Sequence, residues 1–244
     1  VRGTIVWLSE HDAPDAFPPV ESALREPNGL LAAGGDLSPR RLLMAYRRGI
    51  FPWYSYGQPI LWWSPDPRAV LIPQEFKTSR SLAKSIRNKG METRIDTAFR
   101  AVIAECGSEK TRPGGTWLSP EMQAAYTQLH EMGYAHSVET WLGDRLVGGL
   151  YGVALGGVFF GESMFSRERD ASKIALRRLC DHLIQCDFRL IDCQMETPHL
   201  MSLGARLIPR SEFAALLSDH ASLDAAAQRW RPATAIEPQA PSAT

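Results

Sequence analysis

The chain has 244 residues, 44% of them hydrophobic, enough to bury one large core or a small domain beside a larger one. Lys plus Arg balance Asp plus Glu at 27 each, which argues against a dedicated nucleic-acid coat protein while permitting a basic face on a neutral enzyme. With no apolar leader evident, and a most apolar stretch (146–161) that is glycine-rich and too short to span a bilayer, the expectation is a cytoplasmic protein with no membrane partner.

Residues 1–68 are rich in Pro, Gly and Trp and read as a small N-terminal domain. One helix is punctuated there: Ser38 caps it, Pro39 fits its first position, Leu42, Leu43 and Tyr46 form its apolar face, and Gly49 ends it. Phe51-Pro52-Trp53-Tyr54 and Leu61 to Arg68 read as rigid loops.

From residue 69 the pattern is mixed. A basic helix is predicted from Ser79 to Lys89 and another from Thr97 to Cys106. A third is capped by Ser119, begun by Pro120, lined by Met122, Ala125, Tyr126 and Leu129, and stopped by Gly133. Strands His136–Leu142 and Arg145–Ala154 flank a Gly143-Asp144 hairpin turn. After Gly156-Gly157 come a strand from Val158 to Met164, a helix from Ala171 to Cys186 and a strand from Arg189 to Gln194. That order predicts an α+β fold with a mostly antiparallel sheet flanked by helices over residues 69–231. Residues 232–244, rich in Ala and Pro without periodicity, read as a disordered tail.

The strand at 189–194 carries the sharpest local feature. Side-chain alternation puts Asp192 and Gln194 on one face and Ile191 and Cys193 on the other. A carboxylate beside an amide can hold and orient an attacking amine, with Gln194 positioning it and Asp192 polarising Gln194 or stabilising the charge that develops. A surface Asp and Gln at a strand end is the plainer reading of the same pattern. Cys193, turned away with no histidine close in sequence, reads as a structural thiol. Cys106, Cys180 and Cys186 read as reduced thiols, and the scattered histidines lack the spacing of a zinc site.

Glu162 closes an apolar strand, where a carboxylate needs a partner. A cationic substrate group or a salt bridge to Arg167 or Arg169 are the two options. Trp53 and Trp117, on Pro- and Gly-bearing segments, are candidate stacking platforms for a nucleobase, with core packing an equal alternative. Trp62 and Trp63 read as core. Arg80, Lys84 and Arg87 recur at i, i+4 and i+7 on one helix face, either a track for an RNA backbone or a solvated face.

Taken together, Arg25-Glu26-Pro27-Asn28-Gly29-Leu30, Gly34-Gly35-Asp36-Leu37-Ser38, Arg48-Gly49-Ile50-Phe51-Pro52-Trp53, Trp62-Trp63-Ser64-Pro65-Asp66-Pro67-Arg68, Gly161-Glu162-Ser163-Met164-Phe165-Ser166 and Ile191-Asp192-Cys193-Gln194 closely resemble the bacterial leucyl/phenylalanyl-tRNA–protein transferase family. The similarity runs from about Phe17 to Leu217. It implies a small N-terminal domain and a C-terminal GNAT-like acyltransferase domain. It implies transfer of Leu or Phe, less readily Met, from aminoacyl-tRNA to proteins beginning with Arg or Lys, marking them for N-end rule degradation. No cofactor or metal is implied, because the aminoacyl ester is already activated.

By the same resemblance, Trp53 and Trp117 hold the terminal adenosine, and Phe159 with its neighbours, Ser163 among them, forms the substrate pocket. Glu162, Asp192 and Gln194 occupy acceptor and catalytic positions, and Arg80, Lys84 and Arg87 face the tRNA. Leu179, where an aromatic is expected, and Asn88, where a further basic residue can occur, depart from the pattern. Replacing Asp192 with alanine is expected to cut turnover with little loss of folding. Two rivals remain, an acetyl-CoA-dependent N-acetyltransferase and a non-enzymatic module for RNA or basic N-termini. Acetyltransferases of this fold carry a Gly-rich pyrophosphate loop, whereas Ser166 to Ser172 contain no glycine.

Overall fold

A computed structural model describes residues 5–55, 57–108, 118–222 and 230. Two sheets organise them. The smaller has the order β1-β2-β4-β3, built from β1 (Val6–Leu8), β2 (Leu30–Gly34), β3 (Phe51–Pro52) and β4 (Leu61–Trp63). The segments expected to be loops at 51–54 and 61–68 thus contribute strands. Phe51 pairs with Trp63 and Pro52 with Trp62. Pro52 is tolerated because β3 is an edge strand, where a missing N–H breaks no ladder. The fully buried Trp62 donates its indole N–H to the Gly34 carbonyl, and Trp63 donates to the Trp53 carbonyl.

Helix α1 (Pro39–Arg47) joins β2 to β3 and begins as expected, with the Ser38 hydroxyl accepting from the Arg41 N–H. Gly49 takes a left-handed φ of 72° just beyond it.

The larger sheet has seven strands: β5 (Arg68–Leu71), β6 (Met91–Ile95), β7 (Ala135–Leu142), β8 (Arg145–Leu155), β9 (Val158–Ser166), β10 (Leu190–Gln194) and β11 (Arg206–Ile208), in the order β11-β5-β10-β9-β8-β7-β6. Every neighbouring pair is antiparallel except β9 with β10. Helices α2 (Arg80–Asn88), α3 (Phe99–Cys106), α4 (Pro120–Glu131), α5 (Ala171–Gln185), α6 (Pro198–Ser202) and α7 (Arg210–His220) complete the α+β fold. Ser79 and Ser119 cap α2 and α4 through their hydroxyls, as the sequence predicts. The short β1, β2, β5, β6 and β11, and helices α6 and α7, are additions to the predicted elements.

Alternation along β8 sends Tyr151, Val153 and Leu155 into one buried cluster and Leu150 and Ala154 into another. The first cluster is continuous with the small sheet. It joins Leu8 and Trp62 to Leu42 and Tyr46 of α1, Val102 of α3, Met122 and Tyr126 of α4, and Phe213 and Leu217 of α7. The second lies under α5, where Leu176, Leu179 and Leu183 meet Phe159, Phe188 and Ile191.

Candidate active site

The site originates in the parallel pair. β9 and β10 match over three positions, Leu190 with Val158, Ile191 with Phe159 and Asp192 with Phe160, and their pairing then stops. A cavity of about 400 Å³ opens there. Its lining draws on both faces of the sheet. Leu150, Phe159, Leu176, Leu179 and Ile191 come from the side under α5, while Phe51, Tyr151 and Glu162 come from the side of α1 and α4. The cavity therefore passes through the gap between the parted strands.

β10 ends in a bulge. Asp192 pairs with Val70 of β5 and Gln194 with the adjacent Ala69, leaving Cys193 as the extra residue. Gln194 has a left-handed φ of 58°, rare for a residue with a side chain. Strict alternation therefore ends at Asp192, and the expected shared face is corrected. Cys193 and Gln194 line the cavity, whereas Asp192 is fully buried away from it.

Asp192 is held by Arg68, itself fully buried. The guanidinium donates from Nε to Oδ1 at 2.8 Å and from Nη2 to Oδ2 at 2.7 Å. Its Nη1 donates to the Gly49 carbonyl, and its Cζ lies 4.9 Å from the centroid of the Phe51 ring and 4.6 Å from that of Phe213. Asp192 Oδ1 also accepts the backbone N–H of Gln194 at 3.0 Å. The charge pair thus ties β5, α7 and the segment after α1 to the bulge that aims Gln194. The Gln194 side-chain nitrogen is buried with no hydrogen-bond partner among the described residues, a donor left open at the cavity wall.

Glu162 lines the cavity and makes neither of the anticipated arginine pairs. Arg167 is bound to Glu105, and Arg169 lies by Asp170. Its oxygens instead accept the hydroxyls of Tyr46 at 2.7 Å and Tyr126 at 2.8 Å, which also touch each other. Burial pushes the Glu162 carboxyl up to about 7; the tyrosine hydroxyls oppose this, and the Asp192 charge adds to it. Burial, and then the neighbouring Glu162, raise both tyrosines well above their ordinary value. The sequence shows Tyr46 and Tyr126 only as members of apolar helix faces. A buried tyrosine hydroxyl needs a partner, and two of them on helices packed together are a legible hint of a shared acceptor.

Trp53 stands at the cavity, 39% exposed and edge-on to Trp63 at 5.6 Å. Trp117 falls outside the described residues. Phe159 is fully buried at the apolar end, and Ser163 also lines the wall. Leu179 sits in the lining, where its aliphatic side chain widens the space an aromatic would fill. Met195, Thr197 and Leu200 are lining residues that pattern reasoning missed, and Met164 and His199, legible only as parts of the family pattern, also line the wall. Burial, aided by the charge of Asp192, drives the Cys193 thiol far above its usual range, which disfavours the thiolate a nucleophile needs although the side chain borders the cavity.

Arg80, Lys84 and Arg87 are exposed along α2, and no ion pair involves them among the described residues. Potential metal ligands group once among the described residues, at Asp96, His130 and His136, with ligand atoms within 4.8 Å of one another. Their polar atoms already serve internal hydrogen bonds to Ala135, Gly133, Ser137 and Trp230. At the start of α5 the chain occupies its own donors, too. Arg167 N–H bonds Val147, Ala171 N–H bonds Glu168, and Ser172 N–H bonds the Ser166 hydroxyl. Asp170 adds a carboxylate, held low chiefly by the Ser85 hydroxyl. An anionic pyrophosphate meets a negative charge and few free N–H groups there.

The parallel strands part over a two-sided cavity with an amide and a carboxylate at the gap, an arrangement suited to an enzyme that transfers an acyl group. Residues 70–218 match the leucyl/phenylalanyl-tRNA protein transferase family and residues 35–66 match that family's N-terminal domain, and the chain belongs to this family. It is 59% identical over 233 residues to the leucyl/phenylalanyl-tRNA–protein transferase of Azoarcus sp. (strain BH72), covering 96% of this chain and 98% of the relative. To the protein of the same name from Thiobacillus denitrificans it is 61% identical over 207 residues, 85% of this chain and 91% of that one. Among solved structures, a GCN5-related N-acetyltransferase from Kribbella flavida overlaps 68% of this chain and 59% of its own at TM-score 0.36 and 11% identity.

Proposed function

We propose that this chain transfers Leu or Phe, less readily Met, from aminoacyl-tRNA to the N-terminal Arg or Lys of acceptor proteins, forming a peptide bond that marks them for N-end rule degradation. The observation that carries this reading is the two-sided cavity, apolar under α5 and bearing Glu162 on the side of α1 and α4. The donor side chain enters the apolar end against Phe159, Leu150 and Leu179. Terminal adenosine stacks on Trp53, the resemblance assigning Trp117 to the same role, and the tRNA body follows Arg80, Lys84 and Arg87. The acceptor's positive N-terminal residue is drawn to Glu162, with Ser163 beside it on the wall.

The reaction joins an amine to an ester carbon already activated, so the work is alignment and charge stabilisation. An α-ammonium of pKa near 8 must lose a proton before it attacks. Among the described residues Glu162 is the carboxylate that lines the cavity, and with its carboxyl near 7 it accepts that proton. Gln194 holds the amine through its side-chain oxygen, and its unpaired nitrogen donates to the carbonyl oxygen as charge develops there. Asp192 acts from behind, through the Gln194 backbone and Arg68, rather than by touching substrate. The new amide then replaces the ester, and the ribose hydroxyl leaves with a proton.

We further propose that 1–68 and 69–231 are two domains over a shared core and that the protein works in the cytoplasm; the expected tail at 232–244 falls outside the described residues, and no described helix is long and apolar enough to cross a membrane. The test is mass spectrometry of an Arg-initiated peptide incubated with the protein and Leu-tRNA. A gain of one Leu residue is expected. No gain, or modification by acetyl-CoA without tRNA, overturns the reading.

A further inference from the structure

Phe159, the back wall of the cavity, is itself held from behind. Its ring lies over Gly152 of β8, where an added Cβ meets two ring atoms at 2.6 Å, so the glycine is the notch that admits it. On the far side from the cavity the ring meets the indole of Trp230, stacked at 5.7 Å with a 21° interplanar angle. Trp230 is 6% exposed although it lies well beyond α7 in sequence. Its own position is fixed on every side. The His136 ring stacks on it at 4.0 Å and 15°, and the rings of His182 and Phe188 abut it at 4.5 and 6.2 Å. Its N–H donates to Asp96 Oδ2 at 2.8 Å, the same oxygen that binds His136 Nδ1. None of these backing groups lines the cavity.

We propose that Trp230 is the positioning residue that sets the depth of the donor pocket, and so the discrimination between smaller and larger apolar aminoacyl groups. A phenyl ring over a glycine has no side chain beneath it to stop it from swinging back; the indole supplies the stop. Asp96, just after β6, and His136 of β7 orient the indole, and Phe159 passes that constraint to the substrate. This rests on the proposed placement of the donor side chain against Phe159.

The test compares Leu-tRNA and Phe-tRNA as donors to one Arg-initiated peptide, with full-length wild type, Trp230→Ala and Trp230→Leu, at a temperature where circular dichroism shows all three folded. Trp230→Ala should raise the Phe-to-Leu ratio of kcat/KM by about tenfold, the scale on which one methylene of room discriminates in an apolar pocket. Trp230→Leu, which keeps part of the stop, should fall between. The KM for the acceptor peptide should not change. A ratio that stays constant while both donors slow equally makes Trp230 a stabilising residue only and overturns the proposal, as does a change in acceptor KM without one in donor ratio. Should Trp230→Ala not fold, Trp230→Leu alone decides by the same ratio. Failure of the wild type to transfer either residue instead strikes the proposed function.

Discussion

Removing the Asp192 carboxylate separates support from substrate contact. In Asp192→Ala the Arg68 guanidinium loses both charged hydrogen bonds, at 2.8 and 2.7 Å, and stays fully buried with the Gly49 carbonyl and two aromatic rings beside it and Glu162 near enough to feel its charge. Breaking a buried pair from one side costs about 3–5 kcal/mol, because the remaining charge is left uncompensated. At roughly 2–4 °C per kcal/mol for a chain of this size, the melting temperature should fall by about 6–20 °C. This corrects the expectation of little loss of folding. Turnover should fall too, because the Gln194 N–H loses its acceptor and the left-handed bulge is released. The double variant Arg68→Met/Asp192→Leu removes both charges and should regain most of the stability, yet remain about 100-fold slow in Leu transfer, since the bulge is still untied. Calorimetric melting and single-turnover transfer measure the two effects. A single variant melting within about 2 °C of the parent, or a double variant with full turnover, refutes this account.

Three further outcomes are expected. The raised carboxyl of Glu162 favours the neutral form in the folded protein, so its contribution to stability is complete below the unfolded value near 4.5 and declines as pH climbs through about 7. Transfer follows the opposite sense, gaining the ionised base through about 7, and Glu162→Gln should abolish that rising limb of kcat/KM; an unchanged pH profile excludes Glu162 as the proton acceptor. Replacing Arg80, Lys84 and Arg87 together by alanine should make the slope of log tRNA affinity against log salt shallower by about 2, as for the loss of three phosphate contacts; identical slopes show that α2 faces solvent only. Cys193→Ala should retain transfer within about threefold, consistent with a thiol driven above its usual range by burial, and abolished transfer would reinstate a nucleophile.

The sequence was most legible where local chemistry decides the structure. Ser38-Pro39, Ser79 and Ser119-Pro120 mark helix starts through hydroxyls that bind free N–H groups, and each does so in the fold. The 143–144 hairpin and the strands beside it follow from turn chemistry and alternation in the same way. The small sheet was hidden because Pro52, Trp62 and Trp63 look like loop residues until their partners across the sheet are known. The error at the site was of one residue. Alternation assumes an unbroken strand, and nothing in a Cys-Gln pair announces a bulge with a left-handed glutamine. Arg68 and Asp192 lie 124 positions apart in sequence, so the pair that corrects Asp192's role is a property of topology alone.

The interior joining Leu8 and Trp62 to Val102, Tyr126 and Phe213 has a bearing on how this protein can be altered. A chain severed between Trp63 and Arg68 would yield two pieces, each with an oily wound where the other had been. Neither is suited to grafting onto a foreign neighbour. Rebuilding should come from mixing the two matching halves, and the surroundings of Glu162, whose partners Tyr46 and Tyr126 come from opposite sides of that cut, can only be re-engineered in both halves at once.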